Sequence, residues 1–83
     1  GFQNLEEQLH ETFIMYPNPA NTSITIDGIN YESGSLSDLS GRIVKTWGGY
    51  SNKIDITELT PGIYIVTVYR NNEIVGLQKL IIQ

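Results

Sequence analysis

The stretch Leu59-Thr60-Pro61-Gly62-Ile63-Tyr64-Ile65-Val66-Thr67-Val68-Tyr69-Arg70-Asn71-Asn72 carries the fold in its spacing. Residues Ile63 to Arg70 are β-branched or aromatic at nearly every position, the composition of a strand. A period of two sets Tyr64, Val66 and Val68 on one face and Ile63, Ile65, Thr67 and Tyr69 on the other. Asn71-Asn72 ends the run with the residue type that accepts left-handed dihedrals, as a two-residue hairpin needs. Upstream, Pro61 presets φ for the second position of a type II turn, and Gly62 supplies the positive φ of the third. Leu59 then anchors the corner to a core, and the Tyr64 hydroxyl is placed to bond back to the chain as a tyrosine corner.

Outward from this strand the same signals recur. Glu73 to Gln83 forms the partner of the hairpin and closes on Leu80-Ile81-Ile82. Asn52 to Thr57 and Thr22 to Asp27 alternate apolar and polar side chains, with Ile54 and Ile56 on one face and Ile24 and Ile26 on the other strand's equivalent face. Leu36 to Leu39 enters a tight turn at Ser40-Gly41, where Gly41 supplies positive φ, and Arg42 to Trp47 leaves it. Thr12 to Tyr16 is stopped by Pro17-Asn18-Pro19, because two prolines remove two amide donors from any ladder. About seven short strands at near-regular spacing predict an all-β, immunoglobulin-like antiparallel β-sandwich over residues 12–83. Residues 1–11 break the pattern: Leu5 and Leu9 permit one helical turn at most, and the segment reads as a flexible linker.

Size and charge narrow the function. The chain has 83 residues, no cysteine, and five Lys and Arg against nine Asp and Glu, for a net charge of -4. One small domain fits that length, without disulfides, thiolate metal sites or thiol nucleophiles. The acidic balance and scattered basic residues speak against nucleic acid, and no apolar run is long enough to insert in a membrane as a helix. A catalytic triad would need His10, which has no rigid support in the linker. Asp27, Asp38 and Asp55 offer calcium-type oxygens, but at a spacing that matches no calcium loop and suits turn capping. No metal, cofactor or catalytic residue is expected. Trp47, Tyr50, Tyr31 and Tyr69 are candidates for an aromatic platform under sugar rings, against the simpler role of core and strand residues.

Four segments, in order, resemble the type A C-terminal sorting domain of the type IX secretion system. Tyr16-Pro17-Asn18-Pro19-Ala20 resembles its opening motif. Asp38-Leu39-Ser40-Gly41-Arg42-Ile43-Val44 resembles its central hairpin, although Ser37 stands where the family often has an aromatic residue. Ile54-Asp55-Ile56 with Leu59-x-Pro61-Gly62-x-Tyr64-x-Val66 resembles its most recognisable stretch, and Lys79-Leu80-Ile81-Ile82-Gln83 its closing segment. The resemblance covers residues 13–83 and implies a secretion signal rather than an enzyme. It implies a passenger domain in the same precursor, periplasmic transit by a separate N-terminal signal, and recognition of the folded domain by the outer-membrane translocon of a Gram-negative bacterium. It further implies removal by a sortase-like cysteine protease cutting upstream of Phe13, and a destination at the cell surface or outside the cell.

Within that reading the recognition residues are Pro61, Gly62, Tyr64, Lys79, Leu80, Ile81, Ile82 and Gln83, with Pro17, Asn18, Pro19 and Gly41 as structural turn residues. The terminal strand is expected at a sheet edge with free backbone groups for a partner strand, guarded by Lys79. A monomer, or a weak dimer paired edge to edge, follows. The competing reading is a fibronectin-III-like adhesion or carbohydrate-binding module of an extracellular enzyme, which the corner motif suits equally.

Overall fold

The computed structural model describes residues 10–49 and 51–83. Seven strands follow in order: β1 (Ile14–Tyr16), β2 (Ser23–Asp27), β3 (Ser33–Asp38), β4 (Ile43–Gly48), β5 (Lys53–Asp55), β6 (Gly62–Arg70) and β7 (Glu73–Ile82). They form two antiparallel sheets, β1-β2-β5 and β4-β3-β6-β7, packed as the expected small immunoglobulin-like sandwich.

Each sheet turns its apolar alternation inward. Ile24, Ile26, Ile54 and Met15 come from the smaller sheet; Leu36, Tyr64, Val66, Val68, Leu80 and Ile82 come from the larger. All are buried, at about 1.5–3 kcal/mol for each large aliphatic side chain withdrawn from water. Two glycines of the larger sheet let a ring pack directly onto the backbone. A Cβ on Gly34 would lie 2.5 Å from the Trp47 ring, and one on Gly76 would lie 2.9 Å from the Phe13 ring. The indole and the phenyl ring therefore lie directly over backbone.

The hairpins form where the turn residues demand. Asn71 and Asn72 both take left-handed dihedrals, with φ of 55° and 63°, and join β6 to β7 in two residues. Gly41 has φ of 90° and closes the β3–β4 turn, its N–H donating to the Asp38 carbonyl at 3.0 Å. Strand β3 starts earlier than the sequence pattern suggests, because Ser33, Gly34 and Ser35 extend it between β4 and β6. Serine and glycine carry little strand propensity, so this stretch is a strand only because two neighbours supply its hydrogen bonds.

The turn before β6 differs from expectation. Gly62 has φ of 159°, extended backbone far from the roughly +80° of a type II third position. It is already paired with Ile82 as the first residue of β6. The chain instead turns four residues earlier, where the Leu59 N–H donates to the Ile56 carbonyl at 3.1 Å. Pairing with the terminal strand outcompetes the local turn.

At the other terminus, residues 1–9 of the expected linker lie outside the described residues. Glu11 is tied to the larger sheet, its N–H donating to the Val75 carbonyl at 2.6 Å and its carboxylate pairing with Arg70.

Candidate functional site

One end of the sandwich gathers the motifs that the sequence separates by tens of residues. Asp38 lies opposite Tyr64, Tyr64 opposite Leu80, and Gly62 opposite Ile82, so three segments share consecutive rungs of one sheet. The fourth joins them through Asn18 and Ala20, which bond to Lys79, Ile81 and Gln83.

Asp38 organises the first of these segments. Its Oδ1 accepts from the Ser40 hydroxyl at 2.6 Å and from the backbone N–H groups of Ser40 and Arg42 at 3.0 and 3.1 Å. Oδ2 faces the Arg42 guanidinium at 3.3 Å. The Ser40 hydroxyl, then the backbone donors and the Arg42 charge, hold this carboxyl below the usual aspartate range. Such a carboxylate is fully engaged in fixing its own turn.

The corner is built by Tyr64. Its hydroxyl donates to the Thr60 carbonyl at 2.6 Å and lies 3.1 Å from the Thr60 hydroxyl, across Pro61 and Gly62. The expected tyrosine corner is present, although the turn it locks is not type II. Nearby, Lys45 and Glu58 form an ion pair at 2.7 Å, which lowers the Glu58 pKa. Between the two motifs runs an open groove of about 380 Å³, lined by Asp38, Arg42, Glu58, Pro61 and Ile63 among others. With both ion pairs closed, the groove offers a rigid rim more than free charge, and Leu39, Ile43 and Ile63 stand exposed beside it.

The terminal segment divides by its period of two. Leu80 and Ile82 are core residues, 0% and 3% exposed, whereas Lys79 and Gln83 are exposed and Ile81 is half-buried. β7 is an edge strand in the sheet order, as expected. Its outer side is not free, and this corrects the expectation of open backbone groups. Asn18 uses its side-chain amide twice: Nδ2 donates to the Lys79 carbonyl at 2.9 Å, and Oδ1 accepts the Ile81 N–H at 3.0 Å. The Ala20 N–H donates to the Ile81 carbonyl and the Gln83 N–H to the Ala20 carbonyl, both at 2.8 Å, making a parallel bridge. The segment between β1 and β2 crosses from the smaller sheet to cover the edge of the larger one. Pro17 and Pro19 thus flank a side chain that stands in for a peptide group.

The other sequence candidates are dispersed. Asp27 bonds the adjacent Gly28 N–H at 2.8 Å, and Asp55 caps Thr57 through its N–H and hydroxyl at 2.9 and 2.8 Å. Those two Thr57 bonds lower the Asp55 pKa. No three acidic or imidazole groups converge among the described residues. The aromatic residues do not form one platform. Trp47 Nε1 donates to the Tyr31 hydroxyl at 3.2 Å with Tyr31 itself buried, while Tyr69 bonds Ser35 from the opposite face of the sheet. Tyr50 lies outside the described residues.

A family model for the secretion system C-terminal sorting domain matches residues 14–83, which is the whole sandwich. The chain belongs to this family. It is a type IX secretion C-terminal sorting domain, from a family of signals and not of enzymes. Such a signal implies interaction with the type IX machinery and a passenger domain, and export toward the cell surface or extracellular space. No curated protein matches the chain. Sequence reasoning missed Asn18 as a partner of the terminal strand; two prolines beside an amide side chain were the only local hint.

Proposed function

We propose that this sorting domain delivers its passenger by being read as a folded object at the motif-bearing end. The observation that supports the reading is convergence. Segments 17–20, 38–42, 59–64 and 79–83 serve no common catalytic purpose, yet they meet on one surface. The outer-membrane translocon recognises the Pro61-Gly62 corner, fixed by Tyr64, together with the Lys79–Gln83 strand. Within that strand Lys79, Ile81 and Gln83 face the partner, and Leu80 and Ile82 hold the strand in place.

The domain carries no chemistry of its own on this reading, crosses the periplasm with its passenger, and is a monomer in transit. A sortase-like cysteine protease removes it afterwards by cutting upstream of Phe13. Among the described residues Phe13 is the first side chain belonging to the core, and a cut before it leaves the seven strands intact. The chain ahead of Glu11, which is itself tied to the larger sheet, serves as the linker that presents the cut site.

The test is a fusion of the full chain, residues 1–83, to a neutral folded reporter in a bacterium with a working type IX system. The expected result is reporter outside the cell, shortened by the mass of the domain. Reporter retained inside while the domain remains folded would overturn the reading.

A further inference from the structure

The chain enters the sandwich along β7 and is pinned there within three residues. The Glu11 N–H donates to the Val75 carbonyl at 2.6 Å, and the Glu11 carboxylate pairs with Arg70. Two residues on, the Phe13 carbonyl accepts the Gln78 side-chain amide at 2.9 Å, and the Phe13 ring is buried against Gly76. Arg70 is itself held from three sides. Its Nη1 donates to the Asn30 carbonyl at 2.6 Å. Its chain neighbours are both fixed to Glu32: the Tyr69 carbonyl accepts the Glu32 N–H at 2.8 Å, and the Asn71 N–H donates to the Glu32 carboxylate at 2.6 Å. An isolated surface ion pair contributes little, largely because two long side chains must be ordered to make it. Here the guanidinium is ordered already, with Nη2 left for Glu11.

We propose that Arg70 clasps Glu11 and thereby sets the amino-side limit of the protease-resistant domain. Glu11 and Thr12 are exposed side chains on a backbone that is not free. A protease takes its substrate as an extended strand and needs the backbone groups around the cut for its own pairing. With the clasp closed, the Glu11–Thr12 and Thr12–Phe13 bonds cannot enter a protease cleft, although both lie at the surface. Arg70 is a positioning residue in this device, with Asn30 and Glu32 as its supports. The clasp deepens the sorting reading and rests on it for one consequence: the removing protease cuts on the amino side of Glu11, so the released domain begins at Glu11 or earlier.

The purified full chain is digested below its melting temperature with a glutamyl endopeptidase, and the products are followed by mass spectrometry. Cutting after Glu11 is expected to run about a hundredfold slower than in a synthetic peptide of residues 8–16, because only the transiently opened chain is cut. In Arg70→Ala it should run about tenfold faster than in the original chain, as expected for the loss of one charge-assisted hydrogen bond. Arg70→Lys, which keeps the charge and loses the fork, should fall between the two. Cutting after Glu58, which precedes the opposite end of β6, should stay unchanged and so reports any general loosening.

Equal rates after Glu11 in the original chain and a folded Arg70→Ala chain would overturn the clasp. So would peptide-like cutting after Glu11 in the original chain, or an equal rise after Glu58 in the variant. Should Arg70→Ala unfold, Arg70→Lys carries the comparison; unfolding of both would make Arg70 a pillar of the fold and overturn its role as a clasp. In the secreting bacterium, a released domain that begins at Thr12 or later would overturn it too. Protection confirmed on the purified chain, with no export of a fused reporter, would leave the clasp standing and count against the sorting reading alone.

Discussion

Alternation along the terminal strand separates two roles that a truncation would confound. Replacing Leu80 with alanine removes a branched side chain with no exposure, opposite Tyr64 on the inner face of the edge strand β7. Such a change costs about 2–5 kcal/mol, depending on how far the cavity collapses. A domain of this size has roughly 4–12 kcal/mol in total, at about 0.05–0.15 kcal/mol per residue. The melting temperature is therefore expected to fall by roughly 8–40 °C, at about 4–8 °C per kcal/mol for a domain of 60–100 residues. Ile81→Thr, one residue on, changes a half-buried side chain on the outer face and is expected to cost no more than about 1 kcal/mol. Thermal unfolding followed by circular dichroism gives both numbers, and export of a fused reporter below either melting temperature gives the other axis. Leu80→Ala should export at low temperature in proportion to its folded fraction. Ile81→Thr should be fully folded yet poorly exported. Equal stability losses for the two variants would refute the inward–outward assignment, and normal export of Ile81→Thr would remove that side chain from recognition.

Tyr64→Phe deletes the hydroxyl that bonds the Thr60 carbonyl and should lower stability by about 1–3 kcal/mol, measured by urea unfolding with an unchanged m-value. Gly34→Ala forces a methyl group into the Trp47 ring, so a loss of roughly 1–3 kcal/mol with a shifted tryptophan emission is expected. The carboxyls of Asp38, Asp55 and Glu58 are all lowered by their hydrogen-bond donors, so the folded state binds fewer protons than the unfolded chain near pH 4. Their contribution is present above the unfolded values, about 4, and is lost as pH falls through the lowered ones. Melting temperature measured across pH 2–7 should be level at the top and fall in acid, with a shallower fall in Asp38→Asn.

The strands were legible because a half-buried strand must alternate, and Ile24/Ile26, Ile54/Ile56 and Tyr64/Val66/Val68 do so within a few residues. Asn71-Asn72 and Gly41 were legible because positive φ restricts the residue types that can stand there. Tyr64 could be read as a corner residue because its partner, Thr60, is four positions away. What a single sequence does not display is competition between distant segments. Gly62 would suit a local type II turn, but the hydrogen bonds offered by Ile82 draw it into the sheet. Ser33 to Ser35 have no strand preference of their own and become one between β4 and β6. Above all, Pro17-Asn18-Pro19 reads locally as the end of a strand. Only the folded chain shows that it closes the edge of another strand, 61 residues away, because hydrogen bonds across that separation follow from the packing of two sheets and leave no periodicity behind.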